Sequence, residues 1–166
     1  MSSRVLRYCQ VASISWLAVC AVCPASAQLL QHKDLSYAIA KTIAETAIED
    51  CRARGYAVAA VVVDRGGDTI VALRADNAAP HTMENARRKA YTARTFRMTT
   101  DEFVKRMATE PTRREQTTLP SVIAIPGGVP IRVGDDVIGG VGVSGSPGVD
   151  EPCVMAGLDK VREQLK

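Results

Sequence analysis

The chain holds two histidines, His32 and His81. A neutral imidazole nitrogen is a common donor to metal ions and to haem iron, so each is a candidate axial ligand. The ordinary alternative is a polar side chain near a helix start, and both positions suit it. No HxH, HExxH or His/Cys pair stands at ligand spacing, which argues against a dedicated zinc site. No Ser or Cys has a recognisable base partner, so binding is a better expectation than nucleophilic catalysis.

Between Asn85 and Arg114 nine basic residues face three acidic ones, while residues 28–84 and 115–166 are net acidic. Arg87, Arg88, Lys89, Arg94 and Arg97 belong to this run. Such a patch could hold the carboxylates of a ligand through charge-assisted hydrogen bonds. A solvated helix face or a subunit contact would use the same residues. Gly140 to Gly145 spells GxGxxG, but the second strand and the acidic residue that complete a dinucleotide site are missing before the chain ends at Lys166. Those glycines read instead as places where a backbone or ligand comes close.

These residues need elements to position them. Leu35, Ile39, Ile43, Ala47 and Cys51 recur at a four-residue step and draw one stripe along a helix from Asp34 to Arg54. Tyr56–Asp64, a Gly-Gly turn and Thr69–Arg74 make a hairpin. A second helix runs from after Pro80 to about Arg97, with Ala86, Ala90 and Ala93 on a face suited to lying close on a sheet. A short helix follows from Thr100 to Met107, then a loop from Pro111 to Pro120. Three short strands are expected at Val122–Ile125, Val129–Val133 and Val137–Val143. Asp150 stands as a cap before a last helix that closes the chain at Leu165. The expectation is one α/β (α+β) domain, with flanking helices around a five-stranded antiparallel sheet. Cys51 near the end of the first helix and Cys153 near the start of the last would meet if those helices pack antiparallel. A disulfide or two separately buried thiols then follows.

Arg4 and Arg7, the apolar run Val11–Cys23 and Ala25-Ser26-Ala27 read as a signal peptide over residues 1–27, cut after Ala27, with the domain over 28–166. The run is short of the roughly 20 apolar residues a membrane span needs, so no transmembrane anchor is expected in the mature protein. A lipid anchor at Cys20 is the weaker alternative. Cleavage would leave 19 basic and 18 acidic residues and five aromatic ones. A nearly neutral, aromatic-poor chain lacks the basic stacking platform that nucleic-acid binding uses. The expected location is periplasmic or secreted.

Together four segments resemble the GlcG/HbpS family, also described as the haem-degrading or PduO C-terminal-like domain. They are Val61–Gly67, Arg88–Ala93, Ile125–Ile131 and Ile138–Gly145, the last followed by Asp150-Glu151. The resemblance runs from about Leu35 to Leu158. It implies a profilin-like three-layer sandwich, assembly into homo-oligomers, and in some secreted members haem binding with a role in iron handling or oxidative stress. On that reading His32 or His81 ligates haem iron, Arg87 and Arg94 hold propionates, and Gly127-Gly128 borders the ligand. The family's iron-binding Glu pair on the second helix is half kept, with Glu84 present and Arg87 in the second place. Its histidine before the first helix is replaced by Asp34, and its threonine before the glycine hairpin by Val122. The second expectation is an enzyme or accessory protein for a small organic acid, with the glycine hairpin, Asp150 and Glu151 lining a pocket at a subunit interface.

Overall fold

Ser36 starts the first helix by accepting the N–H of Ile39 on its hydroxyl, which satisfies one of the free donors of the first turn. The computed structural model describes residues 28–166, so the signal-peptide reading lies outside the described residues. The helix, α1, spans Tyr37–Ala53 and buries Ala40, Ile43, Ala44, Ala47 and Cys51, close to the stripe read from the sequence. A hairpin of β1 (Ala59–Val63) and β2 (Thr69–Arg74) follows, then α2 (Thr82–Phe96) and α3 (Thr100–Thr109). A second hairpin, β3 (Gly128–Val133) and β4 (Asp136–Ser144), precedes α4 (Asp150–Lys160).

All pairings are antiparallel, and the order across the sheet is β2-β1-β4-β3. The central strand β1 is buried on both faces, so it reads as a continuous apolar run rather than an alternation. Ala60 and Val62, with Val141 and Val143 of β4, pack under α1 and α4. Ala59, Val61 and Val63 pack under Ala86 and Ala90 of α2. Helices on both faces make the expected three layers. Phe103 and Met107 of α3 form a smaller cluster with Val122, and the rings of Phe96 and Phe103 lie 4.5 Å apart.

The sheet has four strands rather than five, because Val122–Ile125 does not join it. Val122 and Ile123 are buried as in a strand while Ile125 is exposed, and the segment's backbone partners come from elsewhere. The N–H of Ile123 goes to Thr92 Oγ1 at 2.9 Å, that of Val122 to the carbonyl of Leu119, and Arg88 donates to the Val122 carbonyl at 2.5 Å. The segment is tied to α2. Pro111–Thr118, expected as loop, winds into 3-10 turns, and the last helix stops at Lys160 before a short turn at Arg162–Leu165. Cys51 and Cys153 are joined by a disulfide across 102 residues, which fixes α1 to α4. No described helix is long and apolar enough to cross a membrane.

Candidate functional site

Lys89 shares the sheet-facing side of α2 with Ala86 and Ala93, so the helix that covers the sheet carries an ammonium inward. The side chain is 1% exposed. Its Nζ donates to Asp150 Oδ2 at 2.7 Å and to the Val143 carbonyl at 2.9 Å. The other oxygen of Asp150 accepts from the N–H and the hydroxyl of Ser146 at 2.9 and 2.7 Å. Asp150 was expected to cap α4. It is instead the first residue of that helix, with Val149 before it, and its carboxylate turns inward to the buried ammonium. Burial pushes the Lys89 ammonium below the usual lysine range, and Asp150 opposes that shift.

The glycine hairpin closes over this pair. A Cβ at Gly127 would meet Asp150 Cβ at 2.6 Å and Lys89 Nζ at 3.1 Å, and one at Gly128 would meet the Lys89 carbonyl at 2.4 Å. Only glycine lets the segment lie this close. Gly127-Gly128 thus borders the buried pair. A cleft of about 520 Å3 opens beside it, with His81, Asn85, Lys89, Ser144 and Asp150 among its walls. A second cleft, about 390 Å3, is lined by Asp101, Pro126, Asp150, Glu151 and Met155. Burial, with Asp101 and Glu102 nearby, raises the Glu151 carboxyl above its usual range.

The other end of β4 carries a different constellation. Arg65 donates to Asp136 at 2.7 and 3.0 Å, to Asp34 at 3.3 Å and to the Lys33 carbonyl at 2.8 Å, so the segment before α1 is anchored there. The Arg65 guanidinium holds the Asp136 carboxyl below its usual range, and His32 and Arg97 are close enough to add to that effect. Arg94 points into this end. It makes no hydrogen bond among the described residues, and its Nε is buried without a partner. Burial, together with repulsion from Arg97 and Arg65, lowers its affinity for a proton.

His81 and His32 therefore belong to opposite ends of β4. His81 shares a cleft with Ser144, whereas His32 lies near Asp136. Arg87 and Arg94, read together as a ligand cradle, differ in that Arg87 is already paired while Arg94 is not. Arg87 makes a two-pronged ion pair with Glu84 at 2.8 and 2.9 Å and donates to Ser121 Oγ at 3.2 Å. That pair holds the Glu84 carboxyl low and spends its oxygens on a guanidinium. Among the described residues no three His, Cys, Asp or Glu side chains gather as a metal site. The donors around Glu84 do not fit an iron ion.

A family model described as haem degrading protein HbpS-like matches residues 35–159, nearly all of the described chain. The chain belongs to the HbpS-like family. Protein GlcG of Escherichia coli strain K12 is 31% identical over 110 residues, which cover 66% of this chain and 81% of GlcG. The crystal structure of HbpS superposes with a TM-score of 0.76 at 34% identity, covering 81% of this chain and 94% of that one. Klebsiella pneumoniae ORFY gives 0.71 at 29% identity, covering 80% and 93%. Within this HbpS-like chain Lys89 stands in the sequence as one of nine cations in the basic run from Asn85 to Arg114, with nothing there to name its partner. The signal was present in its place on the alanine face of α2, where a charge must find a buried acid.

Proposed function

We propose that the protein binds haem at the end of the sheet where His32, Arg94 and Arg97 gather. The observation that carries the reading is Arg94, a guanidinium with a buried, unpartnered Nε, whose repulsion from Arg97 and Arg65 is opposed only at a distance by Asp136 and Asp64. A buried donor without an acceptor is costly, and a ligand carboxylate would relieve it. Membership of a family described as haem degrading supports haem as the carboxylate-bearing ligand. On this reading Arg94 and Arg97 take propionates and His32 supplies the imidazole. Haem so held brings iron redox chemistry, which suits a role in haem or iron handling.

We also propose that the mature protein begins after Ala27, acts in the periplasm or outside the cell, and forms a homo-oligomer. The Cys51–Cys153 bridge supports an oxidising compartment. N-terminal sequencing of the protein from its native envelope and light scattering on the purified protein check these points.

Titration of haemin into the purified protein, followed at the Soret band, tests the haem reading. A saturable shift is expected, with a changed spectrum in His32→Ala and an unchanged one in His81→Ala. No saturable shift would remove haem, and an effect of His81→Ala alone would remove this site.

A further inference from the structure

We propose that the cleft over Lys89 is a separate ligand site, built for a small 2-hydroxy or 2-oxo carboxylate. The inference does not rest on the haem reading, since it concerns the opposite end of β4. Its volume of about 520 Å3 falls within the roughly 300–1,000 Å3 typical of small-molecule pockets.

The first observation is that the buried pair is a poor device for stability. Replacing such a pair with apolar side chains is often neutral or stabilising, because desolvation offsets the attraction. Lys89 and Asp150, although almost wholly buried, are nevertheless both among the walls of a cleft.

The second observation is the state of the surrounding polar groups. Gly140 and Gly142 lie on the face of β4 against α2, where a Cβ would strike the carbonyls of Ala90 and Ala86. Ser144 is next on that face, where α2 begins. It is 5% exposed, yet its hydroxyl makes no hydrogen bond among the described residues. The side chains of Asn77, His81 and Asn85 also line the cleft without a partner among them.

The chemistry of the ligand follows from which groups are spent. Asp150 already accepts three hydrogen bonds, so little of it remains to receive a donor. Lys89 has three N–H donors and two acceptors, which leaves one N–H for a ligand. The floor thus offers one N–H of Lys89 and the Ser144 hydroxyl to a ligand oxygen. Since Asp150 neutralises the ammonium, that oxygen is better an uncharged hydroxyl or carbonyl than a second carboxylate. At the rim, His81 precedes α2 without a side-chain cap, and the first turn of the helix favours negative charge. Glu84 in that turn is neutralised by Arg87. The rim, with Asn85 and His81, suits the carboxylate. A small acid with an oxygen on the adjacent carbon matches both.

Calorimetric titration of lactate and of pyruvate into the purified protein, with propionate as the analogue lacking that oxygen, tests this. Saturable binding of lactate or pyruvate is expected, with propionate weaker by about tenfold for the lost hydrogen bonds. Ser144→Ala and Asn85→Leu should each weaken binding several-fold while the protein remains folded. His32→Ala and Arg94→Gln should leave it unchanged, whatever they do to haemin. No saturable binding of either acid, equal binding of propionate, or indifference to both cleft variants would overturn the proposal.

Discussion

Lys89 Nζ lies 2.7 Å from Asp150 Oδ2 with both side chains withdrawn from water, which joins the middle of α2 to the first turn of α4. Removing one partner leaves the other charge buried and unpaired, which typically costs about 3–5 kcal/mol. Lys89→Met should therefore destabilise the protein by that order in urea denaturation. Lys89→Met/Asp150→Leu should be less destabilised than Lys89→Met alone, because the orphaned carboxylate is gone. A double variant as unstable as the sum of its single variants would show that the two residues do not act as a pair.

Gly142 sets the spacing between β4 and α2. A Cβ there would stand 2.2 Å from the Ala86 carbonyl and 2.7 Å from the Ala90 N–H nitrogen, both backbone atoms that cannot swing away. Gly142→Ala should lower the melting temperature steeply, by at least the roughly 1–3 kcal/mol of an overpacked core. Gly134→Ala is the control, because nothing lies within 4 Å and only its positive φ of 58° is unfavourable. Its cost should be near 1 kcal/mol.

The same glycines explain what could be read from the sequence. Period and turn residues gave the helix stripe of Ile43 and Ala47, the Gly66-Gly67 turn and the close approach at Gly140 and Gly142, because each is a local pattern. Val122–Ile125 could not be read in this way. Its composition is that of a strand, and only the arrangement of Thr92 and Arg88 in space shows that a helix holds it. The candidate site divides likewise. His32 and His81 drew attention by residue type, yet nothing in their spacing shows that they face opposite ends of β4. Lys89 stands visibly on the alanine face of α2, but its partner is hidden because it lies 61 residues away. A long-range ion pair leaves no periodic trace.

The disulfide should be a large part of the stability of a domain this small. Closing a loop of this length removes much of the unfolded chain's freedom, and losing such a bridge typically costs about 2–5 kcal/mol. Cys51→Ala/Cys153→Ala should melt well below the wild type, and the wild type in excess reductant at denaturing temperature should approach it. Both sulfurs are fully buried, so reductant at room temperature should act slowly. A double variant as stable as the wild type would assign the junction of α1 and α4 to packing alone.

Acid should loosen the protein through Asp136 and Glu84. Arg65 and Arg87 hold these carboxyls below their usual range, so the unfolded chain binds protons at a higher pH than the folded one. Stability from these pairs is present above the ordinary carboxylate values of about 4 and is lost as pH falls through the depressed ones. Thermal unfolding from pH 7 to 2.5 should show this decline. In Arg65→Gln the decline should be shallower, with the variant less stable at neutral pH and converging on the wild type in acid. Parallel curves would exclude Arg65 from the acid response.

Arg94 should show stability and binding pulling in opposite directions. Its buried Nε has no acceptor, and Asp136 and Asp64 only partly offset the repulsion from Arg97 and Arg65, so the ligand-free protein is strained at this residue. Arg94→Met keeps much of the aliphatic stem while removing the unpaired donor and the charge, and should stabilise the ligand-free protein by about 1 kcal/mol. Haemin affinity should fall by about tenfold or more, since a charge-assisted bond to a propionate is lost. Raising the salt concentration should weaken haemin binding to the wild type more than to the variant, because part of the attraction between exposed charges is screened. If Arg94→Met is less stable and binds haemin as the wild type does, Arg94 is a packing residue and the orphaned nitrogen carries no binding role.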